Sequence, residues 1–366
     1  MKRALSAGLI LASLAMSGCG PAEPIRIGFV GGLTGSSSDV GTAGRDAVLL
    51  AIEQANAAGG VGGRKLEMVE RDDAQDKAVA ARSAQDLASA GVVAVIGPFT
   101  SAMADATVPV LGKAGIVSIS PTLTAMAYFG KDDDLIRINR TTRDNANDYA
   151  AVLLSRRQKR VAVAFDTRNR AFTESWLDEF RKAMVSSGGE LVAEVAYESR
   201  PDTPFDGVVA QMLKHRPDGL FFISPTPDVV RLSEQAKRVA PQLPIGATEW
   251  AASEGLLTGG KAVEGLVIVQ NYNRDDDSAR YTDFRTAFER RFGRNPGYSA
   301  VSAYDAATVL LAGLAKQAKG ETPKQAILKY GPYQGLQQQI AFDANGDTLR
   351  KVFFTEIRDG RFVLMK

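Results

Sequence analysis

The strongest constraint in this sequence is an alternation of short apolar runs with helix-period stretches, carried through two successive series. In the first series, residues 25–30 read as a strand and 40–58 as a helix, with Ala47, Leu50, Ala51 and Ala55 along one face. A strand over 65–70 follows, then a helix over 74–90 stopped by Gly91, a residue type that ends helices in left-handed geometry. Residues 92–96 are apolar throughout, as a parallel strand covered on both faces must be. A helix over 102–114 and a strand over 116–119 complete the series. The second series opens after Leu135-Ile136-Arg137-Ile138, with helices over 144–156, 172–187, 205–215 and 228–239. Its strands fall at 160–165, 191–197, 219–223, 243–246 and 265–269. Strand–helix repetition run twice predicts an α/β protein of two doubly wound parallel-sheet lobes, with helices on both faces of each. The chain, 366 residues and 45% hydrophobic, is long enough to fill two cores. The tail breaks the pattern: helices over 281–292, 299–319 and 323–329, then strands over 337–342, 351–357 and 361–365. Asp359-Gly360 gives the last two strands a hairpin turn.

The first residues read as a targeting signal, not as fold. Lys2 and Arg3 precede an apolar run from Ala4 to Met16, shorter than the roughly 20 residues that span a bilayer. The run ends in Met16-Ser17-Gly18-Cys19, which resembles the lipobox of bacterial lipoproteins. That resemblance implies a signal peptide over 1–18, a lipidated Cys19 anchored in a membrane, and a tether over 19–24. Cys19 is the only cysteine, so it has no internal disulfide partner. The formal net charge of +2 comes from 44 basic and 42 acidic residues, and Lys2 and Arg3 account for the whole excess. The remainder is balanced, which argues against a nucleic-acid partner.

Catalytic sets are scarce. One His and one Cys exclude the usual zinc ligand groups, and no nucleophile elbow or phosphate-binding Gly-Lys-Ser/Thr loop occurs. His215, at a helix end before Pro217, suits a solvated terminal cation. The glycines from Gly28 to Gly35 lack the spacing of a dinucleotide loop. Asp72, Asp73 and Asp76 fit helix-start caps better than a calcium site. No enzyme activity, cofactor or metal is expected. What recurs is hydroxyl groups at the C-terminal ends of strands: Thr34, Ser36 and Ser37, then Thr100 and Ser101, then Ser120, Thr122 and Thr124. In an open α/β sheet these ends form the ligand crevice, and helix N-termini there suit a carboxylate.

These residues carry a family resemblance. Ile27-Gly28 with Leu33-Thr34-Gly35, the stretch from Asn56 to Leu66, Asp72-Asp73, Val95-Ile96-Gly97-Pro98, Ile119-Ser120-Pro121 and Ala303-Tyr304-Asp305-Ala306 occur in order. The chain thereby resembles the leucine/isoleucine/valine-binding proteins, the type I periplasmic solute-binding proteins of ABC transporters. The resemblance implies a small-molecule ligand, an amino acid or analogue, held between two lobes that close by hinge motion. It implies lobe 1 from 25–142 plus 273–345 and lobe 2 from 143–272 plus 346–366, joined by three crossings near 141–145, 271–274 and 343–348. It places Ser101, Thr122 and Thr124, with Thr100 beside them, on the ligand's carboxylate and ammonium, and Glu249 opposite the ammonium. Arg168-Asn169-Arg170-Ala171-Phe172 stands where Tyr-Gly is common in the family, so Arg170 and Phe172 are expected at the pocket, with Arg168 or Arg170 admitting an extra polar or anionic group. Partners implied are an ABC-transporter permease and, through Cys19, a lipid membrane outside the cytoplasm. A sensor of the same fold, binding an amide or similar molecule and signalling to a partner, is the alternative.

Overall fold

A computed structural model describes residues 22–35 and 38–365. Cys19, Ser36 and Ser37 lie outside the described residues. In chain order the first series is β1 (Ile25–Gly31), α1 (Ser38–Ala57), β2 (Leu66–Asp72), α2 (Lys77–Ser89), β3 (Ala94–Ile96), α3 (Ser101–Lys113), β4 (Val117–Ser120) and β5 (Leu135–Arg137). The second is α4 (Thr142–Ser155), β6 (Arg160–Asp166), α5 (Arg170–Ser186), β7 (Glu190–Tyr197), α6 (Phe205–Leu213), β8 (Gly219–Ile223), α7 (Thr226–Val239), β9 (Ile245–Ala247) and β10 (Val267–Gln270). The tail holds α8 (Ala279–Phe292), α9 (Tyr298–Lys316), α10 (Pro323–Tyr330), β11 (Tyr333–Gln334), β12 (Gln339–Ile340), β13 (Phe353–Arg358) and β14 (Arg361–Leu364).

The strands form two main sheets. Lobe 1 has the order β2-β1-β3-β4-β5, parallel throughout. Lobe 2 has β14-β13-β10-β9-β8-β6-β7, where β13 and β14 are the antiparallel additions. Burial follows the composition: β3, β4 and β8 are buried at every position because helices cover both faces. The two-residue turn before β14 has Asp359 and Gly360 both at positive φ, 50° and 68°, as a tight hairpin requires.

Two local expectations shift. Helix α2 starts at Lys77, not 74, because Asp76 accepts from the Ala78 and Val79 N–H groups and caps it there. The segment 343–348, expected as the third crossing, folds onto lobe 1 instead. Its Gly346 carbonyl accepts from the Arg137 N–H at 2.9 Å, and Asp347 pairs with the Arg137 guanidinium. The chain crosses after it, ahead of β13. The first crossing lies between β5 and α4, the second between β10 and α8.

Candidate functional site

Strand β3 is followed by Gly97, whose φ of 131° turns the chain sharply, and a Cβ there would sit 2.1 Å from the Val30 carbonyl oxygen. The turn delivers Phe99, Thr100 and Ser101 to the cleft between the lobes. Thr100 occupies the N-cap of α3, yet its side chain makes no capping hydrogen bond. Its hydroxyl is therefore not committed to its own helix. Thr122, after β4, donates to the Phe99 carbonyl at 2.5 Å, which ties the two strand-end loops together.

From lobe 2, the short β9 leads into a tight turn at Glu249–Ala251. Glu249 is buried, and the Trp176 indole N–H donates to its Oε2 at 3.1 Å and its Oε1 at 3.3 Å. Asn145 donates to Oε1 at 3.1 Å. Among the described residues no cation lies within ion-pair distance of it. Burial pushes its carboxyl above the ordinary value, against the hydrogen bonds from Trp176 and Asn145 and the more distant charge of Arg140.

These groups meet around one cavity with about 370 Å³ of empty space, part of it open solvent. Thr100, Ser101 and Thr122 line one side, and Glu249, Phe172 and Trp250 the other. Val40, Phe99 and Tyr298 add apolar wall, and Phe172 meets Trp250 edge-on at 5.6 Å between ring centres. Five expected site residues thus converge: Thr100, Ser101, Thr122, Phe172 and Glu249. Thr124 lines an adjoining hinge cavity of about 280 Å³ that shares Asn139 and Glu249 with the first. Arg170 lines neither. It is the first residue of α5, exposed, and pairs with Glu174 one turn on at 2.8 Å. Arg168 pairs with buried Asp166 and lines an outer cavity of about 770 Å³ with Gln75 and Met103.

Sequence reasoning did not single out Asn139, Asn145, Trp176, Trp250 or Tyr298. Asn139 follows β5 as Ser101 and Thr122 follow their strands, so the strand-end rule extends to it. Trp176 and Asn145 lie on helices at separations of 73 and 104 residues from Glu249, and no local pattern marks them. Of the three acids expected as helix-start caps, only Asp76 caps a helix. Asp76 caps α2, and Asp72 accepts from Leu33 and Ala74 N–H groups at 2.8 Å, fixing the loop after β1.

A family model described as periplasmic binding protein matches residues 24–361. The chain belongs to the periplasmic binding protein family. Like other periplasmic binding proteins of type I, it folds as two α/β lobes joined by three crossings, as the sequence landmarks implied. It is 26% identical over 338 residues to the leucine-, isoleucine-, valine-, threonine- and alanine-binding protein of Pseudomonas aeruginosa, covering 91% of this chain and 89% of that one. In structure it is similar to the branched-chain amino acid transporter substrate-binding protein LivJ of Streptococcus pneumoniae, solved with isoleucine: TM-score 0.85, 23% identity, 93% and 97% of the two chains. A solute-binding protein of an R. palustris ABC transporter, solved with benzoate, superposes at TM-score 0.84 with 19% identity over 93% and 95%.

Proposed function

We propose that this periplasmic binding protein is the lipid-anchored receptor of an ABC transporter, that it binds an α-amino acid between its lobes without chemical change, and that it delivers it to a permease. The observation that carries this reading is the polarity of the cavity. Glu249 is a buried carboxylate held only by neutral donors, and such a group needs an opposite charge to recover its desolvation cost. Across from it stand the hydroxyl-bearing N-terminus of α3 and Thr122, which suit a carboxylate. A zwitterion matches both ends. The apolar wall of Val40, Phe99, Phe172 and Trp250 suits an aliphatic side chain, in keeping with the amino acids named for the P. aeruginosa relative. A longer, polar side chain has the outer cavity with Gln75 and Arg168 ahead of it. An aromatic acid without an amine, like the benzoate in the R. palustris neighbour, would leave Glu249 buried and unpaired.

A thermal-shift panel of the common α-amino acids and benzoate tests this. A ligand at a hundred times its Kd adds about 2.7 kcal/mol of stability. At least one amino acid is expected to raise Tm, and its N-acetyl derivative is not. A shift by benzoate with none by any amino acid overturns the assignment.

A further inference from the structure

Two backbone donors of lobe 1 are taken across the cleft by side chains of lobe 2. The N–H of Ala102, in the first turn of α3, donates to Asn169 Oδ1 at 3.0 Å, and both residues are buried. The N–H of Met126, on a short turn after β4, donates to Ser175 Oγ at 3.0 Å. Ser175 is also 2.7 Å from Thr142 Oγ1, at the start of α4 beside the first crossing. Asn169 stands at the N-cap of α5 and Ser175 in its second turn, so one rigid helix presents both acceptors. Trp176, which holds Glu249, follows Ser175 directly.

First-turn N–H groups of a helix have no partner inside it, and a cleft exposes them to water or ligand. Asn169, which also lines the cleft cavity, satisfies one of them from the opposite lobe with a neutral protein oxygen. We propose that α5 is a ligand-independent clasp, with Asn169 and Ser175 as positioning residues that hold the lobes closed on lobe-1 backbone N–H groups. The clasp closes the protein in part with nothing bound, and it adds the same factor to the affinity of every ligand. One hydrogen bond of this kind moves an equilibrium by about 2- to 13-fold. The clasp rests on two lobes that close, not on the identity of the ligand.

The test is therefore made without ligand. Spin labels at Lys113→Cys in lobe 1 and Val185→Cys in lobe 2, in full-length protein carrying Cys19→Ser, report the interlobe distance. The clasp predicts a closed population in the ligand-free protein. Asn169→Ala and Ser175→Ala shift it to longer distances by about 2- to 13-fold in population ratio, while Asn169→Asp, which keeps the acceptor, restores it. Circular dichroism confirms that each variant is folded. A purely open ligand-free protein, or alanine variants with the parent distance distribution, overturns the clasp. Once two ligands are known, Ser175→Ala, at a position that does not line the cleft cavity, weakens both by the same factor. An altered ratio between them means that Ser175 acts through the ligand and also overturns it. Failure of the amino-acid panel leaves the distance measurement untouched, so the two readings fail separately.

Discussion

Glu249 shows how a single carboxylate sets the character of this cleft. Its partners are an indole N–H and an amide, which orient it without neutralising it. Replacing it by Gln keeps the shape and removes the charge. Loss of one member of a buried charged pair costs roughly 2–5 kcal/mol, so calorimetric titration of Glu249→Gln should show affinity weakened about 30- to several-thousand-fold. An affinity within threefold of the parent would rule out an ammonium partner. With an ammonium as its partner, the same carboxyl is expected to make binding pH-dependent. Burial raises it above 4.5 in the ligand-free protein, and an ammonium pairs only with the ionised form. Affinity is thus complete above the ligand-free pKa and falls by up to about tenfold per pH unit below it. Glu249→Gln lacks that fall. The acid was legible from its place after a strand in a recognised family pattern. Its supports were not, because Asn145 and Trp176 reach it only through the folding of two other helices. Arg170 misled for a related reason: sequence position placed it at the mouth, but an i, i+4 partner on its own helix draws it to the surface.

Among elements, the strands were the most legible, since a parallel strand covered on both faces has to be apolar along its length. Helix starts were less so. Alanine-rich 74–90 reads as helix from its first residue, yet Ala74 and Gln75 lie at φ of 49° and 54°, outside helical geometry. Side-chain acceptors of Asp72 and Asp73 take the N–H groups of these two residues and outcompete helix propensity. This connection also carries Gln75 to the outer cavity, and it contains a strained charge. Burial, offset by the Gln75 N–H and reinforced by neighbouring Asp72, pushes the Asp73 carboxyl from 3.8 up to about 6. The unfolded chain ionises near the lower value and the folded one near the higher. Stability is therefore unaffected below 3.8, declines as pH rises between the two, and stays lower above about 6 by up to ~3 kcal/mol. Asp73→Asn keeps the oxygen that accepts from Gln75 and removes the charge. Its thermal unfolding should exceed the parent's at pH 8, and the gap should nearly close at pH 4. An equal gap at both pH values would mean that ionisation is not the cause.

At the scale of the whole molecule, two lobes, a cleft and three crossings followed from the repeated strand–helix series together with the family pattern. The position of the third crossing did not, because only the tertiary contact of Arg137 with the turn at 343–347 shows which lobe that turn joins. The receptor reading also requires attachment. Membrane fractionation of the Cys19→Ser protein should find it released to the soluble fraction, whereas continued acylation and membrane retention would remove the anchor at Cys19. The order in which the sheets are assembled has a further consequence. The helices α8 and α9, which pack with α1, and α10, which packs on α9, are made after nearly all of lobe 2, and lobe 2 waits for β13 and β14 to cover the edge of β10. During synthesis neither half can reach its final form early and leave the other to follow. Until the last residues arrive, β10 carries an uncovered hydrogen-bonding edge of the kind that pairs with strangers. The chain is thus committed to remaining unfinished along most of its length, and to settling both halves nearly together.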